Sequence, residues 1–250
     1  MNDTPLMTPP APPAPRLPLA RPRWTWILLV GIILVYILEE LSGGSQNSRV
    51  LIRFGANYGP LVSSGEYWRL FTANFLHIGI AHIAFNGYAL YILGQETEAL
   101  YGSPRFLVIF LLTCLSGAIA SFAFTYGLSA GASTGIVGLI GTQVAFFVRN
   151  RKVFGTLSRS RLTNLLFIGV INIVYGLTNP SIDNFGHLGG LIGGLILGWL
   201  LCPYYQVQPQ DNGTHRIVDL NSLRAEWIGV LLFCALLAAA FLGALALHPA

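Results

Sequence analysis

The sequence predicts an all-α polytopic membrane protein, with seven candidate transmembrane helices and a cytoplasmic N-terminus. Three observations carry this. The first is a scarcity of charge: of 250 residues, 54% are hydrophobic and 10% charged, against roughly 25% charged in soluble domains. The mean hydropathy is +0.62. So few charged side chains cannot cover a water-soluble core, which excludes an ordinary soluble enzyme and a disordered chain alike. The second is a series of apolar runs of spanning length, and the third is a one-sided placement of basic residues. The net charge is only +4 and no basic face is visible, so no nucleic-acid partner is expected. Cys114, Cys202 and Cys234 form no CxxC pair, which speaks against a disulfide framework and against a thiolate metal site.

In chain order, residues 1–22 are Pro-rich and poor in large apolar side chains, and read as a disordered cytoplasmic tail. A spanning helix needs about 20 mostly apolar residues. Seven segments qualify: 24–41, 78–97, 105–126, 133–149, 162–178, 187–202 and 227–247. The first ends in Glu39 and Glu40 with no small-residue cleavage site, so it reads as a retained helix rather than a signal peptide. The second is the least apolar, because His82 and Asn86 lie inside it. A long amphipathic loop, about 42–77, joins these two and carries Tyr67 and Trp68. Residues 203–226 read as a cytoplasmic linker, and 227–250 as the seventh helix. No internal repeat is present.

Basic residues set the orientation. With the N-terminus inside, the inner segments hold Arg16, Arg21, Arg23, Arg105, Arg149, Arg151, Lys152, Arg159, Arg161, Arg216 and Arg224, eleven of the fourteen. Only Arg49, Arg53 and Arg69 stay outside. The second, fourth and sixth segments then all start near the outer surface. Helix N-termini carry free N–H groups and partial positive charge, so three such ends at one depth favour an anion.

Polar groups inside a span are expensive and by default mark function. Here they gather in the outer halves of those same three segments. His82 and Asn86 are four apart and share a helix face, with His77 just upstream. The plainer account is that they only bond neighbouring helices. Ser133 lies in Gly131-Ala132-Ser133-Thr134-Gly135, a literal GxSxG, but a membrane span precedes it where a soluble nucleophile elbow needs a strand. An α/β-hydrolase is therefore excluded, and close helix packing at the glycines is the alternative. In the sixth segment Gly186, Gly190, Gly194 and Gly198 recur every four residues, with His187 at the head of the stripe. If its partner is the fourth segment, Ser133 and His187 meet.

A serine hydroxyl becomes a nucleophile when an adjacent imidazole takes its proton. The tetrahedral intermediate then needs donors for its oxyanion, and His82, Asn86 and the Ser133 amide are of the right type. Asp183 is poorly placed for a triad, one turn upstream on the same segment. Other chemistries fail for want of residues: there is no HExxH, no pair of acids within the spans, and no His relay spread toward the midplane. No metal and no cofactor are expected.

Three blocks together resemble the rhomboid family of intramembrane serine proteases. They are Gly65-Glu66-Tyr67-Trp68-Arg69 leading to His77, His82 and Asn86; Gly131-Ala132-Ser133 with Gly135, Gly138 and Gly141; and Asp183 to Gly190. The resemblance implies a six-helix rhomboid-like catalytic domain over 23–202, with the seventh segment as one further C-terminal transmembrane helix. It implies a dyad of Ser133 as nucleophile and His187 as base, with His82 and Asn86 at the oxyanion. His77, Trp68, Arg69, Gly131 and Gly190 are implied to be structural near the site, and Glu98 to be a buried structural acid. Val137 stands where many members carry an aromatic against the base, and Thr134 where a Gly is frequent. The implied function is a serine endopeptidase that cleaves transmembrane segments of membrane-protein substrates near the outer leaflet. The alternative is a non-proteolytic scaffold that binds transmembrane helices, and a small transporter is less favoured. The expected partners are such substrates and the lipid bilayer. With no targeting peptide evident, the expected location is a prokaryotic plasma (inner) membrane.

Overall fold

The computed structural model describes residues 19–179, 181–209, 215–221 and 223–249, so most of the expected 1–22 tail lies outside the described residues. Helix α1 (Trp24–Leu41) begins without a side-chain cap from its own Arg23. Its free N–H groups are taken instead by the fully buried carboxylate of Glu98. Oε1 accepts from the amides of Arg23 and Trp24 at 2.9 and 3.0 Å, and Oε2 from the amide and hydroxyl of Thr25, both at 2.8 Å. A carboxylate at a helix N-terminus is favoured by the dipole, and here it ties the start of α1 to a residue far along the chain.

The 42–77 stretch is not a plain loop. It folds into α2 (Ser48–Phe54), β1 (Asn57–Tyr58), α3 (Gly59–Ser63), α4 (Arg69–Thr72) and a 3₁₀ turn, Ala73–Phe75. Arg69 gathers these pieces. Its guanidinium bonds Glu66 at 2.8 Å, donates to Ile52 O at 2.6 Å and to Ala56 O at 3.3 Å, and lies over the Trp68 ring.

The second expected span is α5 (Gly79–Ala89), a π turn (Leu90–Gly94) and α6 (Gln95–Tyr101) in continuation. Together with Arg69–Phe75 it forms a pair bent by 91°. Next come α7 (Ser103–Phe124), β2 (Leu128–Ser129), α8 (Ser133–Arg149), α9 (Arg151–Phe154), α10 (Thr156–Thr178), α11 (Asn184–Leu200), β3 (Tyr205–Pro209), β4 (His215–Asp219) and α12 (Leu223–Leu247). All seven expected segments are helical. Among the described residues, four helices can cross a membrane by length and composition (α1, α7, α10 and the Glu226–Leu247 part of α12), or five if the bent pair is counted as one span. The remaining two, α8 and α11, have only 17 residues each.

Those two short helices form the centre, and their glycines decide how. On α11, Gly190 lies against the Thr134 carbonyl, Gly194 against the Gly138 carbonyl and Gly198 against Thr142, so α8 and α11 run parallel in one register. Returning the contact, a Cβ on Gly141 would sit 2.5 Å from Leu191 O and 2.9 Å from Leu195 N. Backbones this close leave no room for a methyl. The opposite edge of α11 packs on α7, where a Cβ on Gly189 would sit 2.9 Å from Ser116 O. At the far end the Tyr101 hydroxyl is shared between Thr142 O and Gly198 O, each at 2.9 Å, and closes the α8–α11 seam.

The 203–226 stretch also has structure that no sequence pattern announced: β3 and β4 pair antiparallel, Tyr205 with Asp219 through Pro209 with His215. Tyr205 is buried and donates its hydroxyl to Leu100 O at 3.1 Å. Arg105 on α7 bridges this ribbon and α12, bonding Asp219 at 2.9 Å and Glu226 at 2.6 Å.

Candidate active site

Ser133 opens α8 and His187 lies in the first turn of α11. The two helices touch at this end, Gly186 and Gly190 of α11 resting on Thr134. The glycine stripe thus has the fourth segment as its partner, the condition on which the two residues were expected to meet, and both side chains stand half-buried on adjoining first turns. No hydrogen bond joins them in this conformation.

What precedes Ser133 is held from outside. β2 pairs with β1, Ser129 opposite Asn57, and the Gly131 amide donates to Ala73 O at 2.9 Å. Gly131 has φ +136°, a conformation that only glycine adopts without strain. A side chain there would also collide with the histidine beside it, because a Cβ would lie 2.7 Å from His82 Cε1 and 2.8 Å from His82 Nε2. Asn86 Nδ2 faces the same point at 3.4 Å.

The hydrogen bonds of these two residues show what they can offer. His82 Nδ1 accepts from the Ile78 amide at 3.2 Å, so a neutral ring carries its proton on Nε2. The Cε1–Nε2 edge of the ring lies beside Gly131. Asn86 Nδ2 is buried and has no hydrogen-bond partner among the described residues. A buried donor without an acceptor costs about 1–3 kcal/mol, and sites of that kind call for a functional explanation. Two donors therefore converge beside the Gly131–Ser133 backbone.

His77 is placed differently. It is fully buried, and neither ring nitrogen has a partner among the described residues. Its ring meets His82 edge-on at 5.2 Å, and its amide donates to Glu39 at 3.2 Å. It backs His82 rather than reaching Ser133. Trp68 is half exposed and Arg69 buried; both lie in the 42–77 stretch, where Arg69 is engaged by Glu66 and main-chain carbonyls. Asp183 caps α11, accepting from the Gly186 amide at 2.9 Å and from the hydroxyls of Ser129 and Thr125 at 2.7 and 3.0 Å. Its carboxylate is thus committed to the cap of α11 and to the hydroxyls of Ser129 and Thr125.

Two residues near the serine were not singled out as a pair by sequence. Asn74 and Thr134 are both buried and joined at 2.8 Å. A polar residue in a loop and a threonine in a small-residue run look ordinary until the fold brings them together.

The sequence matches the Rhomboid domain model over residues 64–204. The chain belongs to the rhomboid family. It is 45% identical over 174 residues to the Rhomboid protease GluP of Bacillus subtilis (strain 168), covering 70% of this chain and 34% of that protein. To RHOMBOID-like protein 6, mitochondrial, of Arabidopsis thaliana it is 36% identical over 167 residues, 66% of this chain and 52% of that one. To Rhomboid-like protease 3 of Toxoplasma gondii it is 33% identical over 190 residues, 74% and 70% of the two. The chain therefore spans about a third of the Bacillus protein and about half of the Arabidopsis one. The rhomboid match contains His77, His82, Asn86, Ser133 and His187, while α1 and α12 lie outside it.

Proposed function

We propose that this rhomboid is an intramembrane serine endopeptidase acting through a Ser133–His187 dyad. Ser133 Oγ attacks the carbonyl carbon of a substrate peptide bond as the His187 ring takes its proton. The same ring then protonates the departing amine, and water repeats the sequence to release the acyl group. His82 Nε2–H, Asn86 Nδ2–H and the Ser133 amide at the start of α8 supply donors where the oxyanion forms. The observation that carries this reading is the convergence of His82 and the unpartnered Asn86 amide beside Gly131. The Asn86 donor has no acceptor among the described residues. Substrates are transmembrane segments of other membrane proteins, entered near the outer leaflet. There an extended stretch of backbone reaches Ser133 and water has access. The membrane is a prokaryotic plasma membrane, with the N-terminus cytoplasmic.

The test uses the full chain in proteoliposomes, with a fluorophosphonate probe and a model transmembrane substrate. The wild type is expected to label and to cleave, and Ser133→Ala and His187→Ala to do neither. His82→Ala and Asn86→Ala are each expected to lower turnover by about 10²- to 10³-fold. A wild-type chain that neither labels nor cleaves sinks the protease reading and leaves the helix-binding scaffold. Full turnover in both oxyanion variants removes their assignment.

A further inference from the structure

Thr134 follows the proposed nucleophile directly, and its side chain lies where three elements meet. The Thr134 hydroxyl donates to Asn74 Oδ1 at 2.8 Å, between residues 60 apart in sequence and both buried. The Asn74 amide can be oriented only one way. Its Nδ2 group donates to Leu70 O at 2.8 Å and to Phe71 O at 3.1 Å, which uses both amide hydrogens and leaves Oδ1 as the acceptor. Beside it, Ala73 O accepts the Gly131 amide at 2.9 Å. Two successive residues of the 3₁₀ turn therefore grip the chain two positions before Ser133 and one position after it.

The other side of Thr134 is filled by glycine. A Cβ on Gly117 of α7 would lie 2.5 Å from Thr134 Cβ and 2.8 Å from its methyl, and one on Gly186 of α11 would lie 3.2 Å from that methyl. Gly186 is the neighbour of His187. The methyl is thus seated between α7 and the start of α11, and the hydroxyl is turned to the outer loop. A β-branched side chain held on both branches has one rotamer, and with it the first turn of α8 has one orientation.

We propose that the Asn74–Thr134 hydrogen bond is a positioning device that aims Ser133 at His187 and at the oxyanion donors; this rests on the protease reading above. Neither residue touches the reacting atoms. Both act by fixing the rotation of the first turn of α8 against the 69–75 segment and α11. Without the hydroxyl, Asn74 Oδ1 is left buried without a donor and the turn is free to shift. A displacement of about 1 Å at a reacting group costs on the order of 10²-fold in rate.

The experiment measures fluorophosphonate acylation of Ser133, and kcat and KM on a transmembrane substrate, for the monodisperse fraction of the full chain. Thr134→Val keeps the shape and removes the donor. Acylation and kcat are expected to fall by about 30- to 100-fold with KM within about twofold, because positioning acts on the chemical step. Thr134→Ser, which restores the hydroxyl, is expected within about threefold of wild type. Asn74→Leu removes the acceptor instead and gives a second route should the valine variant not fold; it is expected to slow acylation to the same degree. The double variant is expected to be no slower than either single one, the mark of two residues acting as a unit. Wild-type rates in both Thr134→Val and Asn74→Leu overturn the proposal. So does a serine variant as slow as the valine one, or a double variant whose losses multiply. A wild type that fails to label at Ser133 fails the protease reading itself, and is told apart by that control.

Discussion

Gly131 carries two demands at one position. Its backbone sits at φ +136°, and the His82 ring occupies the space a side chain would need. Gly131→Ala is therefore expected to push His82 off the oxyanion position and to lower acylation of Ser133 at least about 10²-fold, read with the same probe. Retained rates in a folded Gly131→Ala protein are incompatible with this account. Residues of this kind separate what was readable from what was not. Ser133, His187, His82 and Asn86 stood out because polar groups in apolar runs are costly. Asn74 could not stand out, since nothing about a loop asparagine announces a buried partner 60 residues away. Asp183 was visible, but its commitment to Ser129, Thr125 and the Gly186 amide was not.

Among the elements, the glycine stripe of α11 was legible as a close-packing face, because a four-residue glycine period needs another backbone close by; that this backbone is α8 was left as a condition. The bend before α5 was not, nor the folding of 42–77 into short helices. There the apolar pattern is irregular, and Arg69 does the organising through main-chain carbonyls. The β3–β4 ribbon escaped for a related reason: five-residue strands gain their stability only from pairing and from what covers them. Arg105 is what covers this ribbon's base. It is largely buried between Asp219 and Glu226, and removing one partner of such a cluster leaves uncompensated carboxylates. Arg105→Ala is expected to cost roughly 3 kcal/mol. It should be seen as a lower thermal midpoint in detergent together with faster proteolysis within 205–219. An unchanged midpoint would mean that the cluster is solvated and of little worth.

At the scale of the molecule, α12 lies outside the rhomboid match, yet its C-terminal end is stitched to the end of the bundle that carries α3 and Tyr126. The His248 ring stacks on Tyr126 at 4.1 Å and donates from Nε2 to Ala123 O at 3.0 Å, and the His248 carbonyl accepts from Ser63 at 2.9 Å. Phe241 meets Tyr67 edge-on at 5.1 Å. A combined Phe241→Ala and His248→Ala variant is expected to loosen α3 and the loop around Tyr67. Limited proteolysis there should quicken, and the thermal midpoint should fall by several degrees; equal cleavage rates would show that the seventh helix is a passive appendage. Orientation belongs to this scale too. With the N-terminus cytoplasmic, a membrane-impermeant maleimide is expected to label Ser64→Cys in intact cells and Arg159→Cys only after permeabilisation. The reverse pattern inverts the topology.

Composition and periodicity alone determined that the chain lives in a bilayer, where its long apolar helices lie and which side chains are too polar for that setting without a use. These are local properties, written in apolar runs and in the cost of breaking them. Tertiary structure decided the rest. It set α8 against α11 in register, placed the His82 ring edge beside Gly131, committed Asp183 to a helix cap and joined Asn74 to Thr134. Each of these is a contact between residues distant in sequence, and its geometry exists only once the helices have packed.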